Sequence, residues 1–285
     1  TRSLYFSADT DADTVRVQDE AVSLTFAAPL GRGELRQTYT FHPDDYDLGL
    51  SIQQVNPASF VTRDRYEIAW HGGVPYSEGG YDEQEQQYSG LYAKNADALQ
   101  SITLSAHDHS ETRIDGAVSW LSVKNKYFTA VLMPDTPEHV RGATLIGDKV
   151  AQAGGGVDVK NLSARLQFPR PRGQSEVDQF HLYAGPIDYY SLADYDRGLY
   201  GMVDYGWDWF EWITKPLAKY LYIPMLTYLG GGLPEATVAS LGLPGWLAEG
   251  IPYGFVVILM AVLIKTLVYP LTKSSYRSMA QMREL

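Results

Sequence analysis

The sequence predicts a mainly β protein: a large antiparallel β-sandwich, followed by an amphipathic helix and then by one apolar transmembrane helix. Three observations carry that expectation. Before residue 190, apolar residues alternate at period two in several stretches, which is the mark of strands. After residue 190 the spacing changes to threes and fours and the chain becomes more hydrophobic. From Ile251 to Ile264 it carries no charge at all.

The strands come first. Leu35, Gln37, Tyr39 and Phe41 alternate with Arg36, Thr38 and Thr40, and Leu48, Leu50 and Ile52 continue the rhythm. KNKYFTAVLMP, Lys124 to Pro134, places Tyr127, Thr129, Val131 and Met133 on one face and Phe128, Ala130 and Leu132 on the other. Apolar residues on both faces predict a strand covered on both sides. QFHLYAGP, Gln179 to Pro186, reads the same way and ends on a Gly-Pro breaker. Gly72-Gly73, Gly79-Gly80 and Gly154-Gly155-Gly156 mark turns, and DEQEQQ at 82–87 reads as a solvated loop. Many short strands with turns between them imply a sandwich. The 21 tyrosines suit its half-buried surfaces.

Leu192, Tyr195, Leu199 and Val203 predict a helix over 189–206. A second begins at Trp207, with Phe210, Ile213, Leu217, Leu221 and Tyr228 as its apolar stripe. Glu211, Lys215 and Lys219 share another face, and Pro216 should kink or interrupt the helix. Burying its charges in hydrocarbon would cost roughly 2.5–3.5 kcal/mol each. An amphipathic helix in the membrane interface therefore fits better than a span, with Trp207, Trp209 and Trp212 at headgroup level. The residues alone also allow a core helix of a soluble domain. The stretch 230–250 reads as a loop with one short helix.

Ile251 to Tyr269 is 19 residues, about 28 Å of helix and close to the hydrocarbon thickness. Tyr253 and Tyr269 stand near its ends as interface anchors. Lys273, Arg277 and Arg283 follow the span, opposed only by Glu284, whereas 200–250 is net acidic. Positive flanks stay inside, so the C-terminal end is expected in the cytoplasm and the β domain outside it, in the periplasm of a Gram-negative cell. The expected divisions are 1–200 for the β domain, 201–250 for a helical linker, 251–272 for the transmembrane helix and 273–285 for the start of a cytoplasmic helical hairpin.

Lys265 interrupts the apolar span, and Tyr269 and Thr272 share its helix face. Two readings stand on the residues. The long stem snorkels to the headgroups, or the ammonium lines a wet cavity inside the bilayer.

The net charge of −11 argues against nucleic acid as a partner. There is no cysteine, so no disulfide scaffold exists. His107 and His109 flank Asp108, but no third metal ligand is marked. Asp44-Asp45 and Glu83/Glu85 read as solvated acids rather than acid–base pairs. Neither a phosphate-binding glycine loop nor a nucleophile elbow is present. No catalytic, cofactor-binding or metal residue is assigned, and no cofactor is expected. No signal-peptide pattern is visible and residue 1 is threonine, so the chain is expected to be a piece of something longer.

LIKTLVYPLTKSSYRSMAQMREL, Leu263 to Leu285, resembles the YidC/Oxa/Alb family of membrane protein insertases. The likeness rests on Lys265, on Tyr269-Pro270-Leu271-Thr272-Lys273, and on Ser278-Met279 with Met282-Arg283. DYGWDWFEWITKPL (204–217) resembles the family's interfacial helix, and SWLSVKNKYFTAVLMP (119–134) a strand of its bacterial periplasmic domain. The resemblance implies a periplasmic β-supersandwich over 1–200. It implies an interfacial helix carrying Trp207, Phe210, Ile213, Pro216 and Leu217, and a substrate groove of Lys265, Tyr269 and Thr272. Many members have arginine at this position; lysine keeps the charge and loses the bidentate fork. By the same resemblance the function is insertion and folding of inner-membrane proteins, without enzymatic chemistry. The implied partners are nascent membrane proteins, the Sec translocon and its accessory subunits, membrane lipid, and the ribosome through regions outside this sequence. The whole protein would be multi-pass, and 230–250 would be a loop insertion.

A different class of function also fits the β domain. A carbohydrate-binding or carbohydrate-modifying sandwich, tethered by one helix, could use Trp70, Tyr76, Tyr81, Tyr88 and Tyr92 as a stacking platform.

Overall fold

The structure is a computed structural model that describes residues 4–77, 83–96, 98–104, 108–150, 159–204 and 211–283. Two compact units are present, Thr1–Val203 and Asp204–Leu285.

The first unit is built from two antiparallel sheets. In chain order the strands are β1 (Ser7–Ala8), β2 (Val22–Leu30), β3 (Gly33–Phe41), β4 (Asp47–Val55), β5 (Arg65–His71), β6 (Gly90–Asn95), β7 (Leu99–Ile102), β8 (His109–Asp115), β9 (Val118–Lys124), β10 (Phe128–Pro134), β11 (Gly142–Val150), β12 (Val159–Pro169) and β13 (Ser175–Pro186). Nine of them form one sheet in the order β1-β2-β3-β4-β13-β10-β9-β6-β7, and four form the other in the order β5-β12-β11-β8. The expected solvated loop at 82–87 instead contains a short helix, α1 (Glu83–Tyr88).

The core lies between the sheets, where Leu50, Leu121, Leu145, Leu166 and Phe180 pack together. A second apolar layer lies on the outer face of the nine-stranded sheet. There Tyr92, Trp120, Val131, Met133 and Tyr183 are covered by Leu192, Leu199 and Met202. The double-sided pattern read in Lys124–Pro134 has this cause. Val131 and Met133 face the outer layer, while Ala130 and Leu132 face the partner sheet.

The cover over that face corrects one expectation. The helix expected over 189–206 is two short pieces, α2 (Tyr189–Ala193) and a 3₁₀ turn at Leu199–Met202. Asp196 (φ 48°) and Gly198 (φ 70°) take left-handed backbone between them, which no α-helix continues through. A Cβ at Gly198 would also stand 2.6 Å from the Lys94 ammonium. Leu192, Tyr195, Leu199 and Val203 still converge on one cluster, so their spacing reported burial rather than a helix.

The small sheet is pinned to the large one through β5. Tyr66 donates its hydroxyl to Asp178 on β13 and stacks on Phe168 at 5.1 Å. Burial, and then that hydrogen bond, hold the Tyr66 phenol protonated far above its usual range. On β12, buried Lys160 donates to the carbonyls of Ser89 (3.2 Å) and Thr103 (2.5 Å).

The second unit is helical. α3 (Glu211–Leu217) passes into π-helical turns at 218–222 and 225–230. Among the described residues the α-helix expected over 207–229 gives way to wider turns after Leu217, the interruption expected at Pro216. Pro216 and Pro224 each lack an N–H for the helical ladder, and wider turns absorb the gap. The stretch 230–250 holds two short helices, α4 (Glu235–Ser240) and α5 (Trp246–Glu249). It closes on itself through glycine: a Cβ on Gly250 (φ 77°) would lie 2.5 Å from the Gly230 carbonyl oxygen. α6 (Tyr253–Arg283) then runs through Pro270 as one helix of 31 residues.

Burial pushes the Lys160 ammonium down to about 8, and the charge of Lys149 adds to the shift. The unfolded chain then binds the extra proton between about pH 8 and pH 10.5, so this residue's contribution to stability is lost as pH falls through that window. In chemical denaturation, wild type minus Lys160→Met should gain on the order of 1 kcal/mol per pH unit as pH rises from 8 towards 10. A difference independent of pH would show that Lys160 is not desolvated.

Candidate functional site

α6 holds the charged position read from the sequence. Tyr253–Pro270 has a mean hydropathy of 1.9, long and apolar enough to cross a membrane. One side of the helix is covered by its own unit. Val256 (1% exposed) and Met260 (9%) are its buried side chains, and the helix packs on the 225–230 turn. Phe255, Val257, Ile258 and Val262 are exposed, as lipid contact requires. Lys265 comes nine residues after Val256, about 180° round the helix at 3.6 residues per turn. Its side chain is exposed on the face away from the packed one, and Tyr269 is 61% exposed one turn further on. Thr266 spends its hydroxyl on the Val262 carbonyl at 2.8 Å. Thr272 continues the same helix.

The expected interfacial residues divide. Ile213, Pro216 and Leu217 lie in α3, whereas Trp207 and Phe210 fall outside the described residues. Trp212 and Tyr220 are three-quarters exposed, and the Lys219 ammonium sits 5.6 Å from the Tyr220 ring centroid. Exposed aromatic rings beside lysines suit a headgroup layer.

In the β unit, SWLSVK (119–124) of β9 carries a device that its period did not reveal, and the chain turns at 125–127 before β10. Lys124 is 2% exposed; its ammonium donates to the Met202 carbonyl at 2.8 Å and lies 5.1 Å from the Tyr92 ring centroid. Trp120 Nε1 donates to the Arg197 carbonyl at 3.0 Å, and the Arg197 guanidinium donates to Pro134 O at 3.0 Å. These contacts tie the segment 189–203 across the outer face of the large sheet. A lysine amid apolar strand residues was the available signal.

Of the aromatic platform expected from the sequence, the described residues Trp70 and Tyr92 lie in different layers: Trp70 lines the space between the sheets, while Tyr92 belongs to the outer layer. Tyr88 is exposed, and Tyr81 is outside the described residues. His109 pairs with Asp148 at 2.6 Å, and His107 is outside the described residues. Among the described residues no group of three or more His, Asp or Glu is placed to hold a metal ion. The charge is also divided. Residues 204–285 contain six acidic and six basic residues, so the whole net charge of −11 falls on the β unit.

Residues 1–220 match the family described as the YidC periplasmic domain. A membrane protein insertase YidC of Chlorobaculum parvum is 31% identical over 292 residues, covering 100% of this chain and 45% of that protein. Its counterpart in Chlorobaculum tepidum is 30% identical, covering 100% of this chain and 44% of that one. The chain thus spans about half the length of the curated relatives it matches. An α-galactosidase structure from Lactobacillus brevis aligns at 10% identity with a TM-score of 0.35, covering 71% of this chain and 27% of that one. That likeness is too distant to carry an argument.

Lys124→Met removes a donor from the Met202 carbonyl. It should cost about 1–3 kcal/mol, read as a lower urea midpoint, and should speed tryptic cleavage at Arg197. Unchanged cleavage would show that the Lys124 bond does not hold the segment.

Proposed function

This chain belongs to the YidC family, and from that premise we propose that it serves a membrane protein insertase of the bacterial inner membrane. In this reading 1–200 is periplasmic, 201–250 is a helical linker lying at the membrane surface, 251–272 crosses the bilayer and 273–285 enters the cytoplasm. The relatives' printed names support the activity, and the match over 1–220 supports the location of the β unit.

The observation that carries the mechanism is Lys265, a charge inside an apolar span and on the face opposite the one its own unit packs. Placing a charge at mid-membrane costs several kcal/mol unless water or a partner receives it. The exposed Lys265 face then belongs to a hydrated groove whose other walls come from chain beyond this half. The ammonium attracts the acidic tail of a client's membrane segment. Tyr269 and Thr272 extend the polar wall towards the cytoplasm, and Val262 borders the path by which the apolar client helix leaves for lipid. Burial of apolar surface drives that exit, and no covalent step is needed. Ile213, Pro216 and Leu217, with Trp207 and Phe210, anchor the linker in the headgroup layer. The Sec translocon, its accessory subunits and the ribosome are the partners this reading adds.

The test is insertion of a client with an acidic N-terminal tail by the complete protein in proteoliposomes. Lys265→Ala should lower insertion several-fold, and Lys265→Arg should retain most of it. Equal insertion by wild type and both variants would remove the groove role.

A further inference from the structure

The two sheets are unequal, and the inequality leaves one edge open over an apolar shelf. β12 packs on β9 and β11 on β6, while Tyr66 ties β5 to β13. The smaller sheet ends at β5; β4 is still covered there, with Leu50, Ile52 and Gln54 buried, whereas on β3 and β2 the inward Gln37, Tyr39 and Phe26 stay partly exposed. Phe26 and Tyr39 lie on that shelf with ring centroids 5.9 Å apart, both partly exposed. Between shelf and strand is a cavity of about 170 Å³, lined by Tyr39, Leu50, Ile52, Ile68, Trp70 and Leu132 among others.

The edge itself is unsatisfied. β5 pairs with β12 on one side only, and among the described residues nothing pairs with it on the other. The ladder's parity identifies the free groups. Arg170 N donates to Asp64 O and Gly72 N to Leu162 O, so the bonded pairs are Phe168–Tyr66, Leu166–Ile68 and Ala164–Trp70. The N–H and C=O groups of Arg65, Glu67, Ala69 and His71 therefore point away from β12. Pro169, which has no N–H, faces Arg65, where none is needed. The edge runs seven residues without proline, glycine or bulge, and its two charged side chains, Arg65 and Glu67, pair with each other at 3.7 Å on the outer face. Its inward side chains are Tyr66, Ile68 and Trp70.

We infer that β5 is a docking edge for an extended polypeptide segment of a partner, which adds a fifth strand to the small sheet and sets apolar side chains at alternate positions into the shelf cavity. Main-chain bonds supply affinity and the alternate pockets supply selectivity. The charge of −11 on the β unit selects segments flanked by lysine or arginine over acidic ones. The inference stands on the sandwich alone, goes beyond the insertase reading and makes no use of Lys265.

The test uses the full chain in detergent and a fluorescent peptide of about nine residues, with valine at alternate positions, threonine between them and lysine at both ends. Binding should be saturable and should protect the amides of residues 65, 67, 69 and 71 from hydrogen exchange. Ala69→Pro removes an outward N–H without touching the ladder to β12, and it should weaken binding at least tenfold while circular dichroism and melting stay unchanged. As a control that leaves the protein untouched, the peptide N-methylated along one edge should also lose at least tenfold. A glutamate-flanked peptide should bind less well at low salt. No binding up to about 1 mM, or equal binding by the N-methylated peptide, would overturn the inference. Self-association of the chain that Ala69→Pro abolishes would overturn it too, by assigning the edge to a second copy.

Discussion

The central strands of the large sheet are apolar on both faces, and the rest of the β unit follows from keeping both faces dry. β9, β10 and β13 present Leu121, Ala130 and Phe180 to one side and Trp120, Val131, Met133 and Tyr183 to the other. The small sheet covers the first set. The segment 189–203 covers the second, although it has no regular secondary structure long enough to be stable alone. Its stability comes from the surface it buries and from Lys124 and Trp120, which donate to its carbonyls.

That arrangement also governs where the chain leaves the sandwich. The covering segment is the last part of the β unit, ending at Val203. The residues that hold it sit on strands β9 and β10, so the end of the β unit is fixed to interior strands of the large sheet. At the opposite flank the same sheet extends past its cover, and an open edge beside an apolar shelf is what remains when nine strands face four.

The helical unit answers to a different solvent. Its charges balance, six against six, and its long helix exposes apolar side chains over most of its circumference. In water such a surface would aggregate; in lipid it is the stable arrangement. Among the described side chains, the stripe through Val256 and Met260 is the buried one. Lys265 is left exposed on the side opposite that stripe.

Local pattern alone determined several features. Strict alternation in Leu48–Ile52, double-sided apolarity in Lys124–Pro134 and an uncharged run before Lys265 each report which solvent a side chain meets, and that is a property of period and composition. It determined that 189–203 is buried, through the spacing of Leu192, Tyr195, Leu199 and Val203. It did not determine that segment's backbone, because two left-handed residues override a helical spacing once the sheet below supplies the burial. The breaks after Leu217 were half legible, in Pro216 and Pro224, but the wider turns are a choice of backbone that no side-chain pattern records. Only the tertiary structure decided that Lys124 is a buried donor, that Trp70 and Tyr92 face different layers, and that β5 is an edge. Each depends on which strands become neighbours across long stretches of chain, and pairing between distant segments leaves no periodic trace in either partner.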